Sequence, residues 1–311
     1  MMKWLEARDI LQAEALVCRG WGELASTEEL WRSLYEDCFH SPCESPAKSA
    51  YRENYLATST LLMIRNSTVT LISVPKLSSP NAVRTIELLQ DSGIGDRNAY
   101  CLLTGFKVLR FGNDESPEVQ LIDLRTGAIS LIAPMSCPRL YPGLIRYQGY
   151  IYLFGGHETT AEKLKLTTWT WEGIKDVMKS NKSSITAARH LTSVYLAYST
   201  EIEVFDLETE LFSVLQLQAL DGWCYSLCLV VSDELVILQK EIVERWRIGS
   251  NETGFRAKQG TSRGDGYYTN CPPIWYQGVC YCLHNDYPRI LGVLASDAQR
   301  CQLDEVLTFD R

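Results

Sequence analysis

Apolar residues fall into two patterns along the chain. Between residues 4 and 36 they recur at helical spacing, as Ile10, Leu11 and Ala13, then Leu16 and Val17, then Trp21, Leu24 and Ala25. Ser26 and Thr27, followed by Glu28 and Glu29, predict a capped helix with an acidic first turn that carries Leu30, Trp31 and Leu34. Asp9 reads as a cap for the helix before it. Such a bundle is too short to bury a core of its own.

The second pattern is β-rich and periodic. Hydrophobic quartets end at Ile64, Phe111, Phe154, Ala197, Leu238 and Cys282, at intervals of 47, 43, 43, 41 and 44 residues. Each is followed by a second β segment: TVTLISV (68–74), VQLIDL (119–124), KLTTWTW (165–171), IEVFDL (202–207), IVERWRI (242–248) and RILGVL (289–294). Arg125-Thr126-Gly127 after Asp123-Leu124, and Glu208-Thr209-Glu210 after Asp206-Leu207, read as hairpin turns. A further short stretch precedes several quartets, as in RLYPGLIRYQG (139–149) and CPPIWYQG (271–278). Three or four strands in each period of about 44 residues is the arithmetic of a propeller blade. Six quartets predict six blades, with a divergent seventh left open. The closing stretch EVLTFDR either supplies a strand to the first blade or leaves the ring sealed in another way.

Composition narrows the function classes. A net charge of −8 over 311 residues argues against a nucleic-acid binder, whose affinity rests on cations. No apolar run approaches bilayer length, and the opening MMKWLEARD lacks signal-peptide character, so a soluble intracellular protein is expected, cytoplasmic or nuclear. Eleven cysteines, an odd count without a Cys-x-x-Cys pair, read as small buried hydrophobes rather than zinc ligands or a disulfide framework. The four histidines, His40, His157, His190 and His284, do not pair as metal ligands. No phosphate-binding glycine loop occurs, and Gly93-Ile94-Gly95 reads as a turn. No cofactor, metal or catalytic set is therefore expected.

The helical segment resembles the second half of an F-box. Val17-Cys18-Arg19-x-Trp21, Leu24-Ala25 and Leu30-Trp31-Arg32-x-Leu34-Tyr35 carry the likeness. The family's usual leucine-proline turn and first helix have no counterpart ahead of Trp4 and Leu5, so that helix is expected to be missing. The resemblance implies docking on a Skp-type adaptor of a cullin ubiquitin ligase, through Leu5, Ile10, Leu16, Val17, Trp21, Leu30, Trp31 and Leu34.

The third period resembles a kelch repeat, through Tyr141-x-Gly143, the doublet Gly155-Gly156 and the Thr170-Trp171 pair. The doublet makes physical sense where a strand end at a crowded corner needs positive φ and no side chain. The expected architecture is mainly β: a kelch-type β-propeller of about six blades over residues 55–311, behind an F-box-like helical module at 1–40 and a linker at 41–54. Taken together, the resemblances imply the substrate receptor of a Skp–cullin–F-box ubiquitin ligase, not an enzyme, holding an unidentified target on its loops. Trp223, Tyr225, Arg263, Tyr267, Tyr268 and Trp275 are the candidate target contacts, being aromatic and arginine residues of the kind that anchor interfaces. The alternative is a kelch interaction scaffold that has left the ligase.

Overall fold

The computed structural model describes residues 27–32 and 47–48, most of residues 99–215, and beyond these chiefly strand segments between Thr60 and Thr308. The described strands form six antiparallel sheets in serial order. Sheet 1 has β1 (Thr60–Arg65), β2 (Thr68–Ser73) and β3 (Val83–Glu87). Sheet 2 has β4 (Ala99–Thr104), β5 (Lys107–Phe111), β6 (Val119–Asp123) and β7 (Ile129–Ile132). Sheet 3 has β8 (Gly143–Tyr147), β9 (Tyr150–Phe154), β10 (Ala161–Lys165) and β11 (Thr170–Gly173). Sheet 4 has β12 (Thr186–His190), β13 (Ser193–Tyr198), β14 (Glu201–Asp206) and β15 (Leu211–Leu215).

Sheet 5 has β16 (Leu227–Val231), β17 (Glu234–Leu238), β18 (Ile242–Arg247) and β19 (Thr253–Lys258). Sheet 6 has β20 (Ile274–Tyr276), β21 (Val279–His284), β22 (Arg289–Leu294) and β23 (Leu303–Thr308). Within each sheet every strand pairs with its sequence neighbour. The stretch KLTTWTW is not one strand: β10 ends at Lys165, a turn follows, and β11 begins at Thr170. Nor does EVLTFDR join the first sheet, since β23 pairs with β22.

The quartets fall on the second strand of sheets 2 to 6 and on the first described strand of sheet 1. Their unbroken hydrophobicity has a packing cause. Side chains alternate along a strand, and here both faces are covered. On β9, Ile151 and Leu153 pack with Cys101, Leu109 and Phe111 of sheet 2. Their neighbours Tyr152 and Phe154 pack with Val194, Leu196 and Phe205 of sheet 4. On β13 the alternation repeats, with Tyr195 and Ala197 turned to Leu235, Ile237 and Trp246 of sheet 5. Sheets 2 to 5 therefore stack face on face in chain order, and the closest approaches between them include the first strands, β8 beside β12 and β12 beside β16. An aromatic cluster fills the interface of sheets 3 and 4, with Phe205 at 5.1 Å from Phe154 and 4.7 Å from Phe212 between ring centroids.

The connection from sheet 2 to sheet 3 is pinned by a buried arginine. Arg139 Nε donates to Glu162 Oε1 at 2.9 Å, and Nη1 donates to the carbonyls of Gly155 (2.6 Å) and Thr160 (2.9 Å). The other oxygen of Glu162 accepts the Ser136 N–H at 3.0 Å. The glycine doublet makes room for this staple. Both glycines have positive φ, 61° and 98°, and a Cβ on Gly156 would lie 3.0 Å from that of Arg139. Trp171 adds a second cross-sheet tie, its indole N–H reaching the Ala133 carbonyl at 2.8 Å.

Two consequences follow for stability. Glu162→Ala leaves a fully buried guanidinium without its counter-charge, and chemical denaturation should read a loss of about 3–5 kcal/mol, whereas Arg139→Met combined with Glu162→Leu should lose much less. A single-variant loss no larger than that of an exposed ion pair would contradict the staple. Gly127 has φ 71°, and a Cβ at this position would meet nothing within 4 Å, so its change to Ala should lose only about 1 kcal/mol. Gly156→Ala should lose more, because the same conformational cost is joined by the Arg139 contact; equal losses would show that crowding plays no part.

Candidate functional site

Residues 28–32 form one helical turn, entered from Thr27 as the cap pattern predicts. Glu28 accepts the backbone N–H of Ala47, and the Lys48 ammonium lies 5.4 Å from the centroid of the Trp31 ring. Trp31 and Ala47 are both fully buried. Part of the stretch expected as a linker thus packs onto the helical turn, and Ala47–Lys48 are themselves helical. A cation over an indole contributes about 0.5–1 kcal/mol beyond the burial of the ring. The Trp31 side chain is buried, while Leu30 is half-buried. Leu5, Ile10, Leu16, Val17, Trp21 and Leu34 lie outside the described residues.

Of the target-contact candidates, Trp223, Tyr225, Arg263, Tyr267 and Tyr268 also lie outside the described residues. Trp275 is not in a loop: it is the middle residue of β20, opposite Cys280 on β21.

One end of sheets 2 to 4 is well defined. Three turns join the third and fourth strands there, Asp123–Gly127, Lys165–Trp169 and Asp206–Glu210. In each, the N–H of the fifth residue donates to the carbonyl of the first at 2.8 Å. The fifth residues, Gly127, Trp169 and Glu210, all have positive φ. A leucine occupies the second place of each turn, and two of them bond to the first hairpin of the same sheet: Leu166 N–H to the Gly149 carbonyl (2.9 Å) and Leu207 N–H to the Thr192 carbonyl (2.8 Å). Both hairpin tips of a sheet therefore share one end.

Electrostatics tighten these turns. The Asp206 carboxylate accepts the Thr209 N–H (2.7 Å), the Thr209 hydroxyl (2.9 Å) and the Glu208 N–H (3.1 Å), and the first of these chiefly holds it below the ordinary range. Asp123 is lowered in the same way by the Arg125 N–H. Lys163 bridges sheets 3 and 4, 2.5 Å from Glu210 and 3.4 Å from Glu172. Burial pulls the Lys163 ammonium down, but its bond to Glu210 and the neighbouring charges outweigh this and leave it raised. Burial pushes the Cys101 thiol up to about 11, despite the Arg146 charge, so it stays protonated and unreactive at neutral pH.

The first hairpins at this end bear Arg146 and Arg189, neither of which the aromatic-and-arginine search of the sequence picked out. The signal was present: each arginine is fourth in its strand, ahead of a quartet, 43 residues from the other. Among the described residues no three His, Cys, Asp or Glu side chains converge as a metal site. No helix among them is long and apolar enough to cross a membrane.

Residues 2–37 match the family model described as F-box-like, so an F-box-like domain opens the chain. The match spans both tryptophan frames, Trp21 and Trp31, on which the sequence likeness rested. No curated protein matches the chain.

Because Asp206 is more acidic folded than unfolded, its contribution is complete above the unfolded value, near pH 4, and fades as pH falls through the lower folded value. Asp206→Ala should lower stability by about 1 kcal/mol at pH 7, and the gap to wild type should shrink as the pH is lowered below 4. A gap independent of pH would show that the carboxylate's charge has no part in the turn.

Proposed function

We propose that this chain is the target-binding subunit of a ubiquitin ligase built on a Skp-type adaptor and a cullin. The carrying observation is the F-box-like match over residues 2–37, since domains of this kind typically bind such adaptors. Such a subunit makes and breaks no bonds. It raises the effective concentration of a captured protein beside the conjugating enzyme, and the gain depends on geometry rather than on new contacts at the reacting atoms. It works inside the cell, where the adaptor and cullin are found.

The six sheets are read as the blades of a closed kelch-type propeller. Support comes from the serial face-to-face stacking of sheets 2 to 5, from the glycine doublet of sheet 3, and from the approach of β1 to β21, which brings the first sheet beside the last. A ring gives every sheet two covered faces, which an open stack denies to its terminal members. It also presents its loops as a fixed array in which a target can be read.

Affinity capture of the full chain from native lysate should recover the adaptor and cullin. Leu16→Asp combined with Val17→Asp should abolish that recovery while leaving the thermal unfolding of the β domain unchanged. Capture without adaptor would remove the ligase reading and leave an interaction scaffold.

A further inference from the structure

The first hairpins of sheets 3 and 4 repeat one arrangement at the level of side chains. Arg146 pairs with Ile151, and Arg189 pairs with Val194, at equivalent register. Arg146 Nη1 donates to the Leu103 carbonyl of the preceding sheet's first strand at 2.8 Å. Arg189 lies 5.1 Å from the Tyr147 ring centroid, again on the preceding sheet, and its Nη1 donates to the Leu191 carbonyl at 3.1 Å. Both side chains are half-buried.

Neither arginine forms an ion pair among the described residues. Ion pairs among those residues include Arg125–Asp123, Arg139–Glu162 and Lys163 with Glu172 and Glu210. Burial holds the Arg189 guanidinium below its ordinary value, opposed only by Tyr147. In a chain of net charge −8, two partly desolvated cations whose neighbours among the described residues are carbonyls, a ring and the Cys101 thiol, with no carboxylate, are anomalous. Beside them Leu191 is 68% exposed with φ 51°. Glycine or asparagine is the usual occupant of that conformation, and an exposed leucine adds a solvation cost to the strain. Gln148, at the matching tip, also has positive φ and donates to the Tyr147 hydroxyl at 2.9 Å.

We propose that Arg146, Tyr147 and Gln148, with Arg189 and Leu191, form a recognition surface for an acidic peptide segment of a partner protein. Anionic side chains, carboxylate or phosphorylated, would sit on the guanidiniums, and an apolar side chain would cover Leu191. Charge complementarity selects this occupant: it supplies the counter-charge that the described fold withholds and removes the exposed leucine from water. Trp275 holds the same place in β20 that the arginines hold in β8 and β12, which extends the repeated position to sheet 6. The inference rests on the receptor reading above for the fate of the captured protein; binding itself requires no adaptor.

The test is fluorescence anisotropy on the full chain with three labelled nine-residue peptides, each with a central leucine: one rich in glutamate, one with phosphoserine replacing part of the glutamate, and one with glutamine throughout. At least one anionic peptide should bind about tenfold or more tighter than the glutamine peptide, and its affinity should fall with added salt. Arg189→Gln should weaken it about tenfold. Because that change also removes the cap on the Leu191 carbonyl, Leu191→Gly serves as the second variant. Glycine takes the positive φ freely, so its melting temperature should hold or rise while binding weakens. Equal binding of all three peptides, or unchanged binding by Leu191→Gly, overturns the proposal. So does competition showing that inorganic phosphate occupies the site with no preference for peptide. Adaptor capture without peptide binding sinks this inference alone, and peptide binding without adaptor capture sinks the ligase reading alone.

Discussion

Sheets 3 and 4 are each covered on both faces by a neighbouring sheet, and the rest of the architecture depends on that constraint. A four-stranded antiparallel sheet standing alone exposes one face to water and shows a simple alternation of apolar and polar residues. Here β9 and β13 send odd and even side chains into two different interfaces, so both sets must be apolar. Each sheet is then a spacer between its neighbours, and no interface belongs to one sheet. Removing Phe205 or Leu153 from such an interface loosens two sheets at once, because each side chain fills space defined by its own sheet and the next.

Stacking of this kind leaves the connections to solve a different problem. The chain must leave the last strand of one sheet and enter the first strand of the next with its polar groups satisfied. Between sheets 2 and 3 this falls to Arg139, which binds Glu162 and two carbonyls of the β9–β10 loop. The cost of burying that charge is offset by a hydrogen bond at each guanidinium nitrogen, and the result fixes the approach of one sheet to the next. The end of sheets 3 and 4 that carries the first hairpins is held by local bonds of the same kind. Leu166 N–H bonds the hairpin tip beside Arg146, and Leu207 N–H, in the turn capped by Asp206, bonds the tip beside Arg189 and Leu191.

Much of this was legible in the residues. The quartets and their spacing matched the six described sheets and placed the second strand of sheets 2 to 6, and Asp-Leu-x-Thr gave two turns correctly, since turn chemistry is local. The third turn was missed because Lys165-Leu166-Thr167-Thr168-Trp169 is as rich in β-formers as the strands beside it. The bond from Trp169 N–H to the Lys165 carbonyl, the positive φ of Trp169 and the bond from Leu166 N–H to the Gly149 carbonyl separate the two strands. The target-contact residues were sought among loop aromatics; Trp275 proved to lie within a strand, and the exposed, strained Leu191 has an ordinary sequence signature.

By itself, then, the sequence determined the period, the strand content and the helical turn that carries Trp31, because these follow from side-chain alternation and spacing along one chain. Tertiary structure decided which residues face one another. It buried Trp31 against Lys48, drew Arg139 onto a glutamate 23 positions away, and left Arg146 and Arg189 without a carboxylate among the described residues. Those outcomes depend on distances between segments remote in sequence, and no local pattern encodes them.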